Sequence, residues 1–342
     1  MNAGRGAARM ARVKCVMMQR DETLLLEAWF RHYGYLFGFE NLVVLDNGSV
    51  EPSVLATLDT YEKAGVQVFR GLGKAKDFEA KGEYARRIIE FWDATEDYDF
   101  AIPVDCDEFL SVYTEDGFSC SRAAIHACLD ELVGEKRTMQ IRFSPGNVPG
   151  VPGCFMPMDF PKKFVASKTV GEVDLGYHAI TSRVEKGFVE TRLAYLHMHH
   201  KPFDMLVEHA SRKLRDRVDV TDHEALRRFS GAGMHLIEYF FMTPEEYLGR
   251  FESGVYLRFP GALNHFRSIG VCSEFFGTML PAEPATPTDL AELVKVEEGR
   301  ITQTRIFDAG KYFELYPDVA SSGMKAFYHY LAFGMGEGRR LA

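Results

Sequence analysis

Residues 101–110, AIPVDCDEFL, place three carboxylates, Asp105, Asp107 and Glu108, directly after an apolar run that reads as a buried strand. Like charges this close must stay hydrated, gain a cation or take up protons. Which of these applies depends on what else reaches the same point, and so on the elements around it. Before DFAIPV the chain shows helical spacing over 77–92, and before that the short apolar runs VQVF (66–69), NLVVL (41–45) and VKCVMM (13–18). The helical pattern LLLEAWFRHYGYLFG follows the first run, and Pro52 and Gly65 bracket a second helix. Four strands alternating with helices predict right-handed βαβ units, hence an α/β, Rossmann-like fold with a mainly parallel sheet.

Ligands of such sheets bind beyond the carboxyl ends of the strands. Three polar clusters fall on that rim: Gln19, Arg20, Asp21 and Glu22 after the first strand; Asp46, Asn47 and Ser49 after the second; Asp105, Asp107 and Glu108 after the fourth. Each acid could instead cap a helix N-terminus, although one cap does not need three acids. If 105–107 stay extended, Asp105 and Asp107 share a face and can share a hard divalent cation, Mg²⁺ or Mn²⁺. Asp46 is placed to accept hydrogen bonds from a ribose or a base edge. A nucleotide at Asp46 with its diphosphate carried to a metal at Asp107 describes a nucleotide-sugar donor.

Composition narrows the partners. The 342 residues are 46% hydrophobic and 26% charged, and the net charge of −9 excludes a general nucleic-acid binder, so an anionic ligand needs a local site. Six scattered cysteines form no CxxC pair, which fits reduced thiols and a cytoplasmic location. The basic start MNAGRGAARMAR has no apolar stretch behind it, and nothing approaches the roughly 18 apolar residues of a membrane span. Peripheral contact with a membrane surface stays compatible with this reading.

After Met139 the alternation fades. SPGNVPGVPGCFMPMDFPKK reads as a long functional loop, KFVASK, GYHAITSR and ETRLAYLHMHH as strand-like pieces, and 203–217 as a helix. PAEPATPTD (281–289) opens an expected linker over 281–300, and an aromatic-rich helical module is expected over 301–342. On this division a core over 13–280 stands without the module.

The segment CVMMQRDETLLLEAWFRHYGYLFGFENLVVLDNGS, then VDCDEFL, then LHMHHKPFDMLVEHASRKL resembles the GT-A glycosyltransferases of the family 2-like type, in a bacterial group with a D-x-D-E-F motif. Arg20-Asp21-Glu22 stands where that group usually has an Asn-Glu pair, and Val50-Glu51 where an Asp often follows the serine. The resemblance implies a donor half over about 13–143 and an acceptor half over about 144–280. It implies metal-dependent sugar transfer from a nucleotide diphosphate to a hydroxyl of a glycan, lipid-linked or protein acceptor. Asp105 then lies near the ribose, Asp107 is on the metal, and His197 or His199 completes the metal site; a pair of hydrogen-bonded structural histidines is the alternative. Phe307, Tyr312, Pro317, Asp318, Val319, His329, Tyr330 and Gly338 are similar to a short helical module that accompanies bacterial glycosyltransferases.

An inverting displacement needs a carboxylate to take the acceptor proton, and Glu172, Asp174 and Asp159 lie in the right part of the chain. Lys81, Tyr84 and Arg86, on the helix before the metal strand, could reach the base or phosphate, or could line a solvated face; the same holds for Lys213, Arg215 and Arg217. Two other readings explain the acids: a metal-dependent phosphoesterase, which leaves DNGS unexplained, and a catalytically silent nucleotide-sugar-binding scaffold.

Overall fold

The first strand, β1 (Val13–Gln19), is buried along its whole length, the mark of a central strand covered on both faces. In the computed structural model, which describes residues 10–158, 160–215, 217–231, 233–279 and 290–339, the first half of the chain alternates strand and helix. β1 leads through α1 (Leu26–Phe37) to β2 (Leu42–Asp46), then α2 (Pro52–Lys63), β3 (Gln67–Phe69), α3 (Ala75–Glu79), α4 (Lys81–Thr95) and β4 (Phe100–Pro103). β1 pairs in parallel with β2 and β4, and β2 with β3. Period-two alternation sends Val13, Cys15 and Met17 into the core under α1, and Val16 and Met18 into a second core against Ala85, Ile89 and Trp92 of α4. The fold is therefore α/β, with helices on both faces of a parallel, Rossmann-like half.

Beyond β4 run β5 (Glu108–Tyr113), β6 (Phe118–Ser119), α5 (Arg122–Asp130), β7 (Thr138–Ile141), β8 (Gly146–Asn147), β9 (Cys154–Met156), β10 (Lys162–Ala166), β11 (Phe188–Glu190) and β12 (Leu193–His197). Then come α6 (Phe203–Leu214), α7 (His223–Arg228), α8 (Pro244–Gly249), β13 (Gly254–Arg258), α9 (Pro260–Ser268), β14 (Glu292–Glu297), β15 (Arg300–Ile306), α10 (Ala309–Leu315), α11 (Pro317–Ser322) and α12 (Ala326–His329). β10 joins β4 antiparallel and extends the first sheet to the order β11-β7-β10-β4-β1-β2-β3. The second sheet, β15-β14-β13-β9-β8-β12-β5-β6, is mostly antiparallel. Residues 104–107 are the crossing from one sheet to the other.

Several expectations change here. The stretch read as one long loop contains β8, β9 and the start of β10, short strands whose Pro and Gly neighbours hide their period. GYHAITSR is not a strand; it supplies only the isolated bridge Val170–Ser182. Residues 281–289 lie outside the described residues, but the rest of the expected linker holds β14, and β14 with β15 forms a hairpin on the second sheet. Phe307, Tyr312, Val319, Phe327 and Tyr330 enter the principal core. Phe327 meets Phe118 at a centroid distance of 5.5 Å and Phe307 at 5.1 Å. The helices after β15 thus complete the core instead of hanging from it. No helix among the described residues is long and apolar enough to cross a membrane.

Candidate functional site

The ends of β1 and β2 are tied into one buried knot. Gln19 Nε2 donates to Asp46 Oδ1 (2.8 Å) and Ser49 Oγ (3.1 Å), and Ser49 Oγ donates to Asp46 Oδ1 at 2.5 Å. Asn47 donates from its amide to the Leu72 carbonyl. Gly48 adopts φ +77, and a Cβ there would stand 2.7 Å from Gly73 Cα, so only glycine lets the DNGS turn meet the GLGK loop. Asp21 has φ 49, a left-handed conformation that Asp tolerates better than most residues. Its backbone N–H then donates to Ser49 Oγ (2.9 Å) while its carboxylate accepts from the N–H groups of Val50 (2.7 Å) and Glu51 (2.9 Å). Asp21 therefore caps the entry to α2 from across the rim, and Asp46, 3% exposed, is engaged by its own turn.

The three acids after β4 divide. Residues 106 and 107 turn, closed by the Glu108 N–H on the Asp105 carbonyl (3.2 Å), so the extended geometry that would put Asp105 and Asp107 on one face is absent. Asp105 goes to lysines: Oδ1 accepts from Lys81 Nζ at 2.6 Å and Oδ2 from Lys162 Nζ at 2.8 Å. Burial alone would raise this carboxyl, but Lys81 and Lys162 outweigh it and hold it at about 2. Lys162 also stands 2.9 Å from Glu108 Oε1, yet burial dominates at Glu108 and its carboxyl is raised. Tyr177, fully buried, lies with its ring 4.4 Å below Lys81.

Asp107 goes to histidines. β12 runs antiparallel to β5 with His197 opposite Glu108, which brings His197 Nε2 to 3.4 Å from Asp107 Oδ2. His199 follows with its ring 5.1 Å from that of His197. Asp107, His197 and His199 each offer a ligand atom, all within 4.8 Å of one another. Burial would raise the Asp107 carboxyl, but His197, then His199 and Lys201, reverse the sign and hold it well below its ordinary value. Asp105 is not in this group. His200 points elsewhere and bonds the Asn147 carbonyl at 2.9 Å.

A basic wall faces the acids. Glu22 pairs with the buried Lys201. From α6, Arg212 approaches Asp21 at 3.7 Å, and Arg217 beyond its end reaches Glu79 at 2.9 Å. His209, on the same helix, is held neutral at about 3 by burial and by Lys201 and Lys213. Lys162, Lys201 and His209 are site residues that sequence reasoning missed. The only signal for Lys162 was a lysine pair closing an aromatic loop.

The remaining candidates lie apart. Asp174 accepts from the backbone of Ala179 (2.7 Å) and Gly176 (3.1 Å), so its carboxylate builds a turn. Glu172 is exposed and shares the field of Arg86, which is bound to Glu83 and Glu90. Neither joins the Asp107 group. Tyr84 donates to Asp77 (3.0 Å). Asp159 lies outside the described residues.

No protein-family model matches the chain, and no curated protein matches it. Among solved structures it is similar to a cytidylyltransferase from Leptospira borgpetersenii serovar Hardjo-bovis (strain JB197), with 15% identity over 40% of this chain and 57% of that one, at a TM-score of 0.26. It is also similar to glucosyl-3-phosphoglycerate synthase from Mycobacterium tuberculosis in complex with Mn²⁺, uridine diphosphate and phosphoglyceric acid, with 16% identity over 41% and 44% of the two chains, at 0.23. The chain spans about half the length of these structures, and likeness at such scores carries no argument about activity.

Proposed function

We propose that this chain is a divalent-metal-dependent transferase that moves a sugar from a nucleotide-diphosphate donor to a hydroxyl of a glycan, lipid-linked or protein acceptor. The convergence of Asp107, His197 and His199 at the rim of the parallel sheet carries the reading. One carboxylate with two imidazoles suits Mn²⁺, with Mg²⁺ the harder alternative. The fit is supported by His197 Nδ1, a buried atom with no hydrogen-bond partner among the described residues. Bound there, the ion would supply Lewis-acid neutralisation of the departing diphosphate.

The residues of the chain perform the rest. Asp107, His197 and His199 hold the ion, and the Lys201–Glu22 pair fixes the wall beside them. The Gln19–Asp46–Ser49 knot shapes the floor on which a nucleotide would lie, with Asn47 holding the next loop in place. Asp105, neutralised by two lysines, positions Lys81 and Lys162 in place of binding metal.

The histidine-rich set also suits phosphoester hydrolysis, so the test must separate the two. Incubation with UDP-, GDP- and dTDP-sugars and Mn²⁺ should release intact nucleoside diphosphate, more with acceptor present. Release of nucleoside monophosphate and sugar 1-phosphate would mean cleavage between the phosphates and a phosphoesterase. Binding without any product across a broad acceptor panel would leave the silent scaffold.

A further inference from the structure

Among the described residues, five cations near the acids are matched with carboxylates and Lys213 is not. Lys81 and Lys162 share Asp105, Lys201 meets Glu22, Arg212 meets Asp21 and Glu208, and Arg217 meets Glu79. Lys213 forms no hydrogen bond or ion pair among the described residues. Its ammonium lies 4.9 Å from the Phe78 ring centroid, and that of Lys81 lies 6.0 Å from the same centroid. The two ammoniums therefore share one aromatic neighbour, and among the described residues the acid bound to Lys81 is already shared with Lys162. Burial, followed by the Lys81 charge, lowers the Lys213 pKa, with the Asp105 and Asp107 carboxylates acting in the opposite direction.

A chain of net charge −9 has carboxylates to spare. A half-buried lysine left beside another lysine is costly unless an anion arrives, and the ring of Phe78 offers only partial compensation. A phosphate group carries the charge and the acceptor oxygens to bridge two ammoniums. We propose that Lys213 of α6 and Lys81 of α4 form a phosphoanion subsite that binds without help from a metal. Neither lysine belongs to the Asp107, His197 and His199 group, although the Asp107 charge reaches Lys213, and the occupant is a phosphate of the donor or of a phosphorylated acceptor. Only the choice between those occupants rests on the transferase reading.

The test is calorimetric titration of the full chain with inorganic pyrophosphate in the presence of EDTA. Wild type should bind, Lys213→Gln should weaken binding by roughly tenfold or more, and Lys213→Arg should keep most of it. Equal melting temperatures would show that the variants are folded. No metal-free binding by wild type, or equal binding by wild type and Lys213→Gln, overturns the subsite. Two further titrations, with UDP and with phenyl phosphate, assign the occupant: loss confined to UDP points to the donor, and loss confined to phenyl phosphate to an acceptor. If pyrophosphate binding depends on Lys213 while no nucleotide sugar is turned over, the subsite stands and the transferase reading falls.

Discussion

Lys162 Nζ stands 2.8 Å from Asp105 Oδ2, a buried ammonium 57 residues along the chain from its partner. The pair joins β10 to the crossing between the two sheets and removes Asp105 from competition for a cation. Lys162→Met would leave Asp105 and Glu108 facing each other with only Lys81 nearby. Breaking one side of a buried ionic cluster costs about 3–5 kcal/mol, so urea unfolding should show a loss of that order. An unchanged midpoint would mean that the cluster is solvated and idle.

Asp21 should prove structural. Its carboxylate accepts from the backbone amides of Val50 and Glu51, in the turn that leads into α2, and Asp21→Ala leaves both without that acceptor, at about 1–3 kcal/mol. The stability loss should appear in denaturant melts of the metal-free protein. Loss of nucleotide affinity at unchanged stability would instead return Asp21 to the donor site.

Removing everything after residue 289 should abolish folding, contrary to the separable module that the sequence predicts. Without β14, β13 loses one of its two neighbours, and Phe307, Tyr312 and Phe327 leave the principal core. Phe327→Ala alone should cost about 3–5 kcal/mol. A truncated chain with cooperative melting would refute this.

Stability should also fall in acid through a histidine pair. His32 Nδ1 and His265 Nε2 lie 2.9 Å apart, and His32 Nε2 lies 3.0 Å from the Leu110 carbonyl. Burial, then His265, holds His32 well below its ordinary value, and burial holds His265 at about 4. Between pH 6.5 and about 4 the unfolded chain binds protons that the folded one refuses, so stability present at neutral pH is lost as pH falls through that window. His265 contributes up to about 3 kcal/mol of that loss. His265→Gln should flatten the fall of the unfolding midpoint between pH 6.5 and 5; an identical slope would contradict the assignment.

What the sequence showed and what it hid have physical causes. β1, β2 and β4 are continuous apolar runs because both faces of a parallel sheet are covered, so their order and the rim beyond them could be read directly. His197 and His199 were legible as a pair from their spacing, although β12 ends at His197 and His199 comes beside it from just beyond the strand. Asp105 and Asp107 misled because a single turn between sheets breaks that alternation, and apolar periodicity does not register such turns. Lys162 and Lys201 were missed because lysine is rarely buried unless paired, and their partners lie 57 and 179 residues away. In RITQTRI, exposed residues on both faces of an edge strand left no period to detect.

On the proposed function, Asp107 and not the acid cluster as a whole holds the metal. Asp107→Asn keeps the volume and removes the charged oxygen. Mn²⁺ binding, followed by electron paramagnetic resonance of the free ion, should weaken by roughly tenfold or more in Asp107→Asn and in His199→Ala. It should be unchanged in Asp105→Asn, with all proteins folded in EDTA. Equal Mn²⁺ binding by wild type and Asp107→Asn, or its loss in Asp105→Asn alone, would contradict the site and the function drawn from it.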